Sequence, residues 1–508
     1  MRPLRPLKRT SSLLASAVLA SAALTTAGPA EAAIRACTVA AVQRLAPAGT
    51  AITAAVRTAG PDHCLVDGHA TVASPGPWDI KFRLALPDRF AKRHFFFAQG
   101  GSGGGIVPWT GQDEGNAAAP LDYDFNELLG RGFAVTSMDK GTSPLHSLDF
   151  SWQADPVQKL NWDNRALETV AAVTQGLTRS FYGTRTLHRY VSGCSGGGMG
   201  SINNLRVHDG RRFDGVIVGS TVPLSAASAL SWARILKRII QNPDGWIPPQ
   251  KLQAAQSAIL AAHDGDDGEI DGIIADGRGI AVRDELLSEA GFTAAQIATF
   301  RLVTTDWTYH GLDEPVRVPG YSVTRPATWS AWFVGAVPPP WNVASFTSPY
   351  GFLVAESSFR ATLGTGVADL DLDDPAVHRA IQSGTADGSS DGVYDFTAFR
   401  DSGGKLLTYF GVDDPAIPYE WSEAIQRGAA AYESATPGLD RWYRAYLVPG
   451  LMHCFGGVGP SDVPERMLDA MVNWVEKGRK PQAITTTRET DGRTFILRPE
   501  RLRRPTKG

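Results

Sequence analysis

The sequence predicts an α/β fold, and three observations predict it. Short apolar runs bounded by glycine recur at 94–98, 133–138, 189–191, 215–218, 405–410 and 445–448. Segments of helical periodicity lie between several of them. One run passes through a glycine-rich turn straight into a stretch that can wind into a helix. Continuous hydrophobicity marks strands buried on both faces, as in a parallel sheet, and strand–helix alternation supplies the helices that cover it.

Taken in order, the first residues read as an export signal. Arg2, Arg5, Lys8 and Arg9 make a basic start, 13–24 an apolar middle, and Ala30-Glu31-Ala32 a small-residue cleavage site. The apolar part is too short and Ala-rich for an anchor, and no other run is long enough to span a bilayer. A secreted protein with no membrane partner is therefore expected. Losing residues 1–32 removes four basic groups and one acid, which takes the formal charge from -3 to -6. That balance argues against nucleic acid as a partner, since phosphate binding needs clustered Lys and Arg.

After the signal, alternating stretches such as 69–73 and 80–86 suit antiparallel edge strands. The segment 164–181 sets Ala166, Leu167, Val170, Val173 and Leu177 on one helical face. From 222 to 390 the rhythm changes, with Trp232, Trp246, Trp307, Trp329, Trp332, Trp341 and a Pro338-Pro339-Pro340 run but few strand-like stretches. Strand-like runs resume at Lys405, so 222–390 reads as a lid inserted into a sheet domain made of 33–221 and 391–508.

The chemistry centres on Gly193-Cys194-Ser195-Gly196-Gly197, a G-x-S-x-G between an apolar run and a helix former. That is the pattern of the nucleophile elbow of α/β-hydrolases, which pushes a serine hydroxyl into the open. Serine needs a base held in the right tautomer by an acid, in the chain order Ser, Asp or Glu, His. His453 is the candidate base. It follows the run 445–448 and the Pro449-Gly450 turn, and Cys454 follows it as Cys194 precedes Ser195. The acid is expected after the strand at 405–410, where Asp414 is the choice and Asp413 the reserve. Oxyanion donors are expected from the Gly196 N–H and from the loop Gln99-Gly100-Gly101-Ser102, with Gly100 and Gly101 as candidates.

The 4 cysteines suit two disulfides in an exported chain. They allow three pairings. Proximity favours Cys37 with Cys64, which leaves Cys194 with Cys454 to clamp the serine and histidine loops together.

With these residues in place the chain resembles the tannase/feruloyl esterase family of α/β-hydrolases, which carries Cys-Ser, Asp and His-Cys with those two cysteines bonded. The matching stretches are G-C-S-G-G-G at 193–198, F-D-G-V-I-V-G at 213–219, G-G-K-L-L-T-Y-F-G-V-D-D-P-A-I-P at 403–418, P-G-L-M-H-C-F-G-G at 449–457 and W-V-E-K-G at 474–478. The family pattern G-x-x-D-x-x-I falls on Gly411 and Asp414. The resemblance implies a large lid and hydrolysis of esters of aromatic acids, gallate or hydroxycinnamate, drawn from plant cell-wall or tannin material. It also implies a structural calcium in the loop 263–274, held by the side chains of Asp264, Asp267 and Asp271 and the carbonyls of Glu269 and Ile273.

Two departures stand out. The lid has no cysteine, and Lys140-Gly141-Thr142 follows Asp139 where relatives often have Gly-His. A second reading is hydrolysis of a synthetic aryl monoester such as mono(hydroxyethyl) terephthalate. It would need a basic lid residue to hold the free carboxylate, and none stands out. A catalytically silent polyphenol- or carbohydrate-binding module is the reading from another class, and the intact Ser195, Asp414 and His453 argue against it.

Overall fold

The glycine-bounded runs form the centre of a mixed sheet. The computed structural model describes residues 36–106, 123–221, 224–384, 394–433 and 436–502. The expected export signal lies outside them. Strands β1 (Thr50–Thr58), β2 (His63–Val72) and β3 (Trp78–Pro87) come first, then β4 (Arg93–Ala98), β5 (Phe133–Met138), β6 (His188–Cys194) and β7 (Gly215–Gly219). A short hairpin, β8 (Trp307–Tyr309) and β9 (Val316–Val318), lies in the inserted region. Then follow β10 (Lys405–Gly411), β11 (Tyr443–Val448) and a closing hairpin of β12 (Ile484–Arg488) and β13 (Arg493–Leu497).

Among the described residues the main sheet has nine strands in the order β1-β2-β3-β5-β4-β6-β7-β10-β11. The first three pair antiparallel, as does β3 with β5. All pairs from β5 to β11 are parallel. Every residue of β5 and β7 is buried, as continuous runs require. Successive side chains point to opposite faces. Thus Phe96, Val191 and Val218 join the cluster containing the helices Ala166–Tyr182 and Gly196–Val207. Phe95, Tyr190 and Ile217 face Met467 and Met471 of the helix Val463–Lys477 on the other side.

The amphipathic segment at 164–181 is a helix over Ala166–Tyr182, ended by Gly183 in the left-handed conformation (φ 63°). A π-helical turn, Asn161–Arg165, precedes it, which side-chain periodicity alone does not reveal. The region between β7 and β10 contributes no strand to the main sheet. It is built from helices such as Ser225–Gln241, Pro249–His263 and Tyr350–Leu363. Its Trp232, Trp329 and Phe333 belong to the same apolar cluster as one face of the sheet, so the insertion packs as part of the core. No helix of the described residues is long and apolar enough to cross a membrane.

Both disulfides expected from the sequence are present. Cys37–Cys64 closes a separation of 27 residues and Cys194–Cys454 one of 260. Loop-closure entropy assigns them about 3.5 and about 5.5 kcal/mol as upper values. With an unfolding entropy of about 1 kcal/mol per kelvin for a chain this long, those values correspond to about 3 and about 5 °C in Tm. Calorimetry should therefore show a larger Tm loss for Cys194→Ser/Cys454→Ser than for Cys37→Ser/Cys64→Ser. Equal losses would mean that cross-linking entropy does not set the difference.

Candidate active site

Every candidate catalytic and oxyanion residue lies beyond the C-terminal end of a parallel strand, where the loops of an open α/β sheet form a crevice. Ser195 follows β6 and caps the helix Gly196–Val207 with φ 56°, a left-handed value rare for a residue with a side chain. Its N–H donates to the Gly219 carbonyl at 3.0 Å, which fixes the turn to β7. The turn is tight because helix and neighbouring strand almost touch. A Cβ on Gly197 would lie 1.9 Å from the Ala98 carbonyl oxygen. Only glycine fits there.

His453 and Asp414 meet directly. The ring Nδ1 donates to Asp414 Oδ2 at 2.9 Å, with Oδ1 at 3.1 Å. The Asp414 side chain is fully buried, and its Oδ1 also accepts the N–H groups of Ala416 (2.7 Å) and Ile417 (2.9 Å). These bonds fix the carboxylate and aim it at the ring. An Nδ1–H given to Asp414 leaves Nε2 as the free base. The edge of the Trp332 ring packs on the imidazole, with centroids 5.1 Å apart. The Ser195 hydroxyl makes no hydrogen bond among the described residues. It is brought to the pair through its neighbour, because Cys194 and Cys454 are bonded with Cα atoms 5.8 Å apart.

Asp413, the reserve acid, points elsewhere. Its carboxylate pairs with Arg325 Nε at 2.6 Å and accepts the Thr324 hydroxyl at 2.6 Å, both from the inserted region. Burial pushes its pKa up, and the Arg325 charge and the Thr324 bond work against that push. Two adjacent acids therefore do different work. Asp414 serves the histidine, and Asp413 fastens the insertion to the sheet.

The glycine loop after β4 lies against the elbow. A Cβ on Gly100 would be 3.7 Å from Ser195 Cβ, and one on Gly196 would be 3.3 Å from the Gly101 nitrogen. Gly101 is left-handed (φ 58°), and its carbonyl accepts the Trp162 indole N–H at 2.9 Å. The π-helical turn is what carries Trp162 to this place. Lys140, after β5, is buried beneath the same loop, and its amine donates to the Gly101 and Gly196 carbonyls at 3.2 Å each.

A cleft of about 660 Å³ opens beside Ser195. One wall is apolar, with Leu148, Phe150, Trp162, Met199 and Val354; Trp232 and Trp332 close it from the insertion. Ser228, Ser358 and Gln153 supply polar atoms, and the Ser228 hydroxyl is buried without a hydrogen-bond partner among the described residues. Among the described residues no charged side chain lines the cleft. Of the tryptophans between 222 and 390, only Trp232 and Trp332 face it, while Trp329 is core. Tryptophan content alone carries no signal to separate them. Trp162 and Arg325 lie in no motif, and Lys140 stands out in the sequence only as a departure from the Gly-His of relatives, with no role attached to it.

The expected calcium loop is rich in hard oxygen donors. Asp264 Oδ1 and Asp271 Oδ1 both accept the Ile273 N–H, at 3.1 and 2.9 Å, so two carboxylates converge there. Asp267 accepts from Glu269 N at 3.0 Å and Ala275 N at 3.3 Å. Arg493 pairs with Asp271 and Glu269. Among the described residues no group of three or more His, Cys, Asp or Glu side chains is close enough to hold a metal ion. Hard oxygen donors of this kind are the ones the expected calcium site would draw on.

Comparison with known proteins places the chain in a family. The family model for tannase and feruloyl esterase matches residues 64–504. Feruloyl esterase C of Talaromyces stipitatus is 26% identical over 73% of this chain and 71% of its own length. The mono(2-hydroxyethyl) terephthalate hydrolase of Piscinibacter sakaiensis is 27% identical over 89% of this chain and 82% of its own. The crystal structure of feruloyl esterase B from Aspergillus oryzae superimposes with a TM-score of 0.72 at 21% identity, covering 90% of this chain and 94% of that one, which shows the shared fold. The chain belongs to the tannase and feruloyl esterase family, carboxylic ester hydrolases built on the α/β-hydrolase fold.

Proposed function

We propose that the protein is a secreted serine esterase acting on esters of neutral aromatic acids of the hydroxycinnamate or gallate type. The observation that carries the mechanism is the His453–Asp414 pair, on loops whose cysteine bridge ends beside Ser195. Ser195 Oγ attacks the ester carbonyl while His453 Nε2 takes its proton and then hands it to the leaving alcohol. Asp414 steadies the imidazolium. The N–H groups of Gly196 and of Gly100 or Gly101 receive the charge that develops on the carbonyl oxygen. Water, activated by the same histidine, then releases the acid from the acyl-enzyme. The disulfides and the basic, apolar, small-residue start of the chain support export.

Substrate class follows from the cleft. Flat apolar walls with Trp162 and Trp232 suit an aromatic ring, and the unpaired Ser228 hydroxyl beside Ser358 and Gln153 suits ring hydroxyls. A terephthalate monoester, favoured by one relative's name, would place a carboxylate in a cleft whose lining, among the described residues, offers it no cation. Burying an unpaired carboxylate costs roughly 3–5 kcal/mol, a factor of a hundred or more in rate. Initial rates should therefore show methyl ferulate or methyl gallate ahead of a terephthalate monoester by at least that factor in kcat/KM. The reverse order would overturn the substrate assignment.

A fluorophosphonate probe should label Ser195 in the native enzyme, and Ser195→Ala should lose both the label and about 10⁴-fold or more in kcat. Labelling that persists in the variant would remove Ser195 from its role.

We also propose that Asp264, Asp267 and Asp271, with the carbonyls of Glu269 and Ile273, hold a structural calcium. The ion would offset the repulsion between carboxylates and stiffen the turn after the helix Pro249–His263. Exhaustive EDTA treatment should lower Tm, with recovery on adding calcium but not magnesium. An unchanged melt would exclude the site.

A further inference from the structure

Among the described residues the most deeply buried charged side chain without an assigned role sits directly behind the proposed oxyanion donors. Lys140 is 1% exposed and left-handed (φ 62°), and it forms no ion pair among the described residues. Its amine has three satisfied directions. It donates to the carbonyls of Gly101 and Gly196 at 3.2 Å each and lies 4.3 Å from the centroid of the Trp162 ring. Three N–H donors, two carbonyls and one π-face form a closed cage suited to an ammonium ion. Trp162 itself donates to the Gly101 carbonyl at 2.9 Å, so cage and glycine loop are one unit.

We propose that Lys140 is a positioning residue for ester hydrolysis, its ammonium tying the glycine loop after β4 to the first residue of the helix behind Ser195 and placing a positive charge behind the oxyanion donors. The inference rests on the reaction proposed above. Two backbone N–H groups from separate segments stabilise an oxyanion only if their relative position is held before the charge develops. Gly101 and Gly196 come from strands β4 and β6, and Lys140 contacts the carbonyl of each. A hydrophobic side chain of equal length would fill the space and leave the two segments untied. The charge acts in the same direction, because a cation in a dry site favours negative charge forming nearby.

The device has a pH signature. Burial pulls the Lys140 amine down to about 7, and the Asp163 carboxylate on the π-helical turn pulls the other way. Asp163 is itself bonded to Asn203 and Asn164. The glycine loop and the start of the helix behind Ser195 bring no charged group to the cage. Asp139, the preceding residue, turns its carboxylate to the N–H groups of Lys81 (3.1 Å) and Gly141 (2.8 Å), and burial raises it to about 7. As pH rises through 7 the cage loses its proton, so the rate should fall on the basic side.

The test compares the full-length enzyme with Lys140→Met, using p-nitrophenyl acetate as substrate. Acylation of the native enzyme by this ester tests the reaction itself, and failure there would remove the reaction rather than the role of Lys140. Given that acylation, Lys140→Met should lower kcat by about 10–100-fold with KM within twofold, and weaken a boronic-acid transition-state analogue by a similar factor. The decline of kcat/KM above pH 7 should be present in the native enzyme and absent from the variant. An unchanged kcat, or a basic limb that survives in Lys140→Met and so belongs to Asp139 or another group, would overturn the inference. Should Lys140→Met not fold, the native profile alone decides, since a plateau from pH 7 to 9 is incompatible with a titrating lysine in this role.

Discussion

Parallel strands lie about 4.8 Å apart, so β6 and β11, with β7 and β10 between them, stand roughly 14 Å apart. Cys194 at the end of β6 and Cys454 beyond β11 are nevertheless bonded, with Cα atoms 5.8 Å apart. The loop after β11 must therefore double back across the end of β10. It does so through the left-handed Gly450 and lies so close to β10 that a Cβ on Gly411 would sit 2.3 Å from the Leu451 carbonyl oxygen. Asp413 N–H donates to that same carbonyl at 3.1 Å. This crossing puts His453 over Asp414 and beside the elbow, and the covalent bridge keeps it there.

The insertion is held by the same region. Asp413 reaches Arg325 and Thr324, and the Trp232 indole donates to the Ala416 carbonyl at 3.1 Å. The loop that bears the acid thus also anchors the residues that wall the cleft. A buried pair such as Asp413–Arg325 is a poor source of net stability, but removing either partner strands a charge. Its consequence here is geometric. Trp232 and Trp332 can face Ser195 only while the insertion is seated on the sheet, and their shared apolar cluster makes that seating part of the core.

Charge is distributed unevenly around the centre. Among the described residues the cleft has no charged lining, whereas Asp414 lies under the histidine and Lys140 lies behind the glycine loop. That arrangement leaves the described lining of the cleft neutral and confines charge to the groups beneath the histidine and behind the glycine loop. A low local dielectric strengthens both groups. It also explains why a lysine can be kept there without a carboxylate, since two carbonyls and an indole face replace the water it gives up.

Much of this was legible in the residues themselves. The continuous apolar runs located β4, β5, β6, β7, β10 and β11, because a strand buried on both faces needs no alternation. The paired Cys-Ser and His-Cys dipeptides pointed to the bridge, and spacing after the 405–410 run pointed to Asp414. Composition alone did not tell cleft tryptophans from core ones, nor show that a π-helical turn would deliver Trp162 to the Gly101 carbonyl. Lys140 was visible only as a departure from the Gly-His of relatives, since the role of a buried lysine is recognised only by what surrounds it. Local sequence determined the strands, the elbow and the chemistry of its candidates, because these depend on neighbours along the chain. The convergence of five loops on one edge, the separate duties of Asp413 and Asp414 and the cage around Lys140 were decided by tertiary structure, because they depend on strand order and on contacts between residues far apart in sequence.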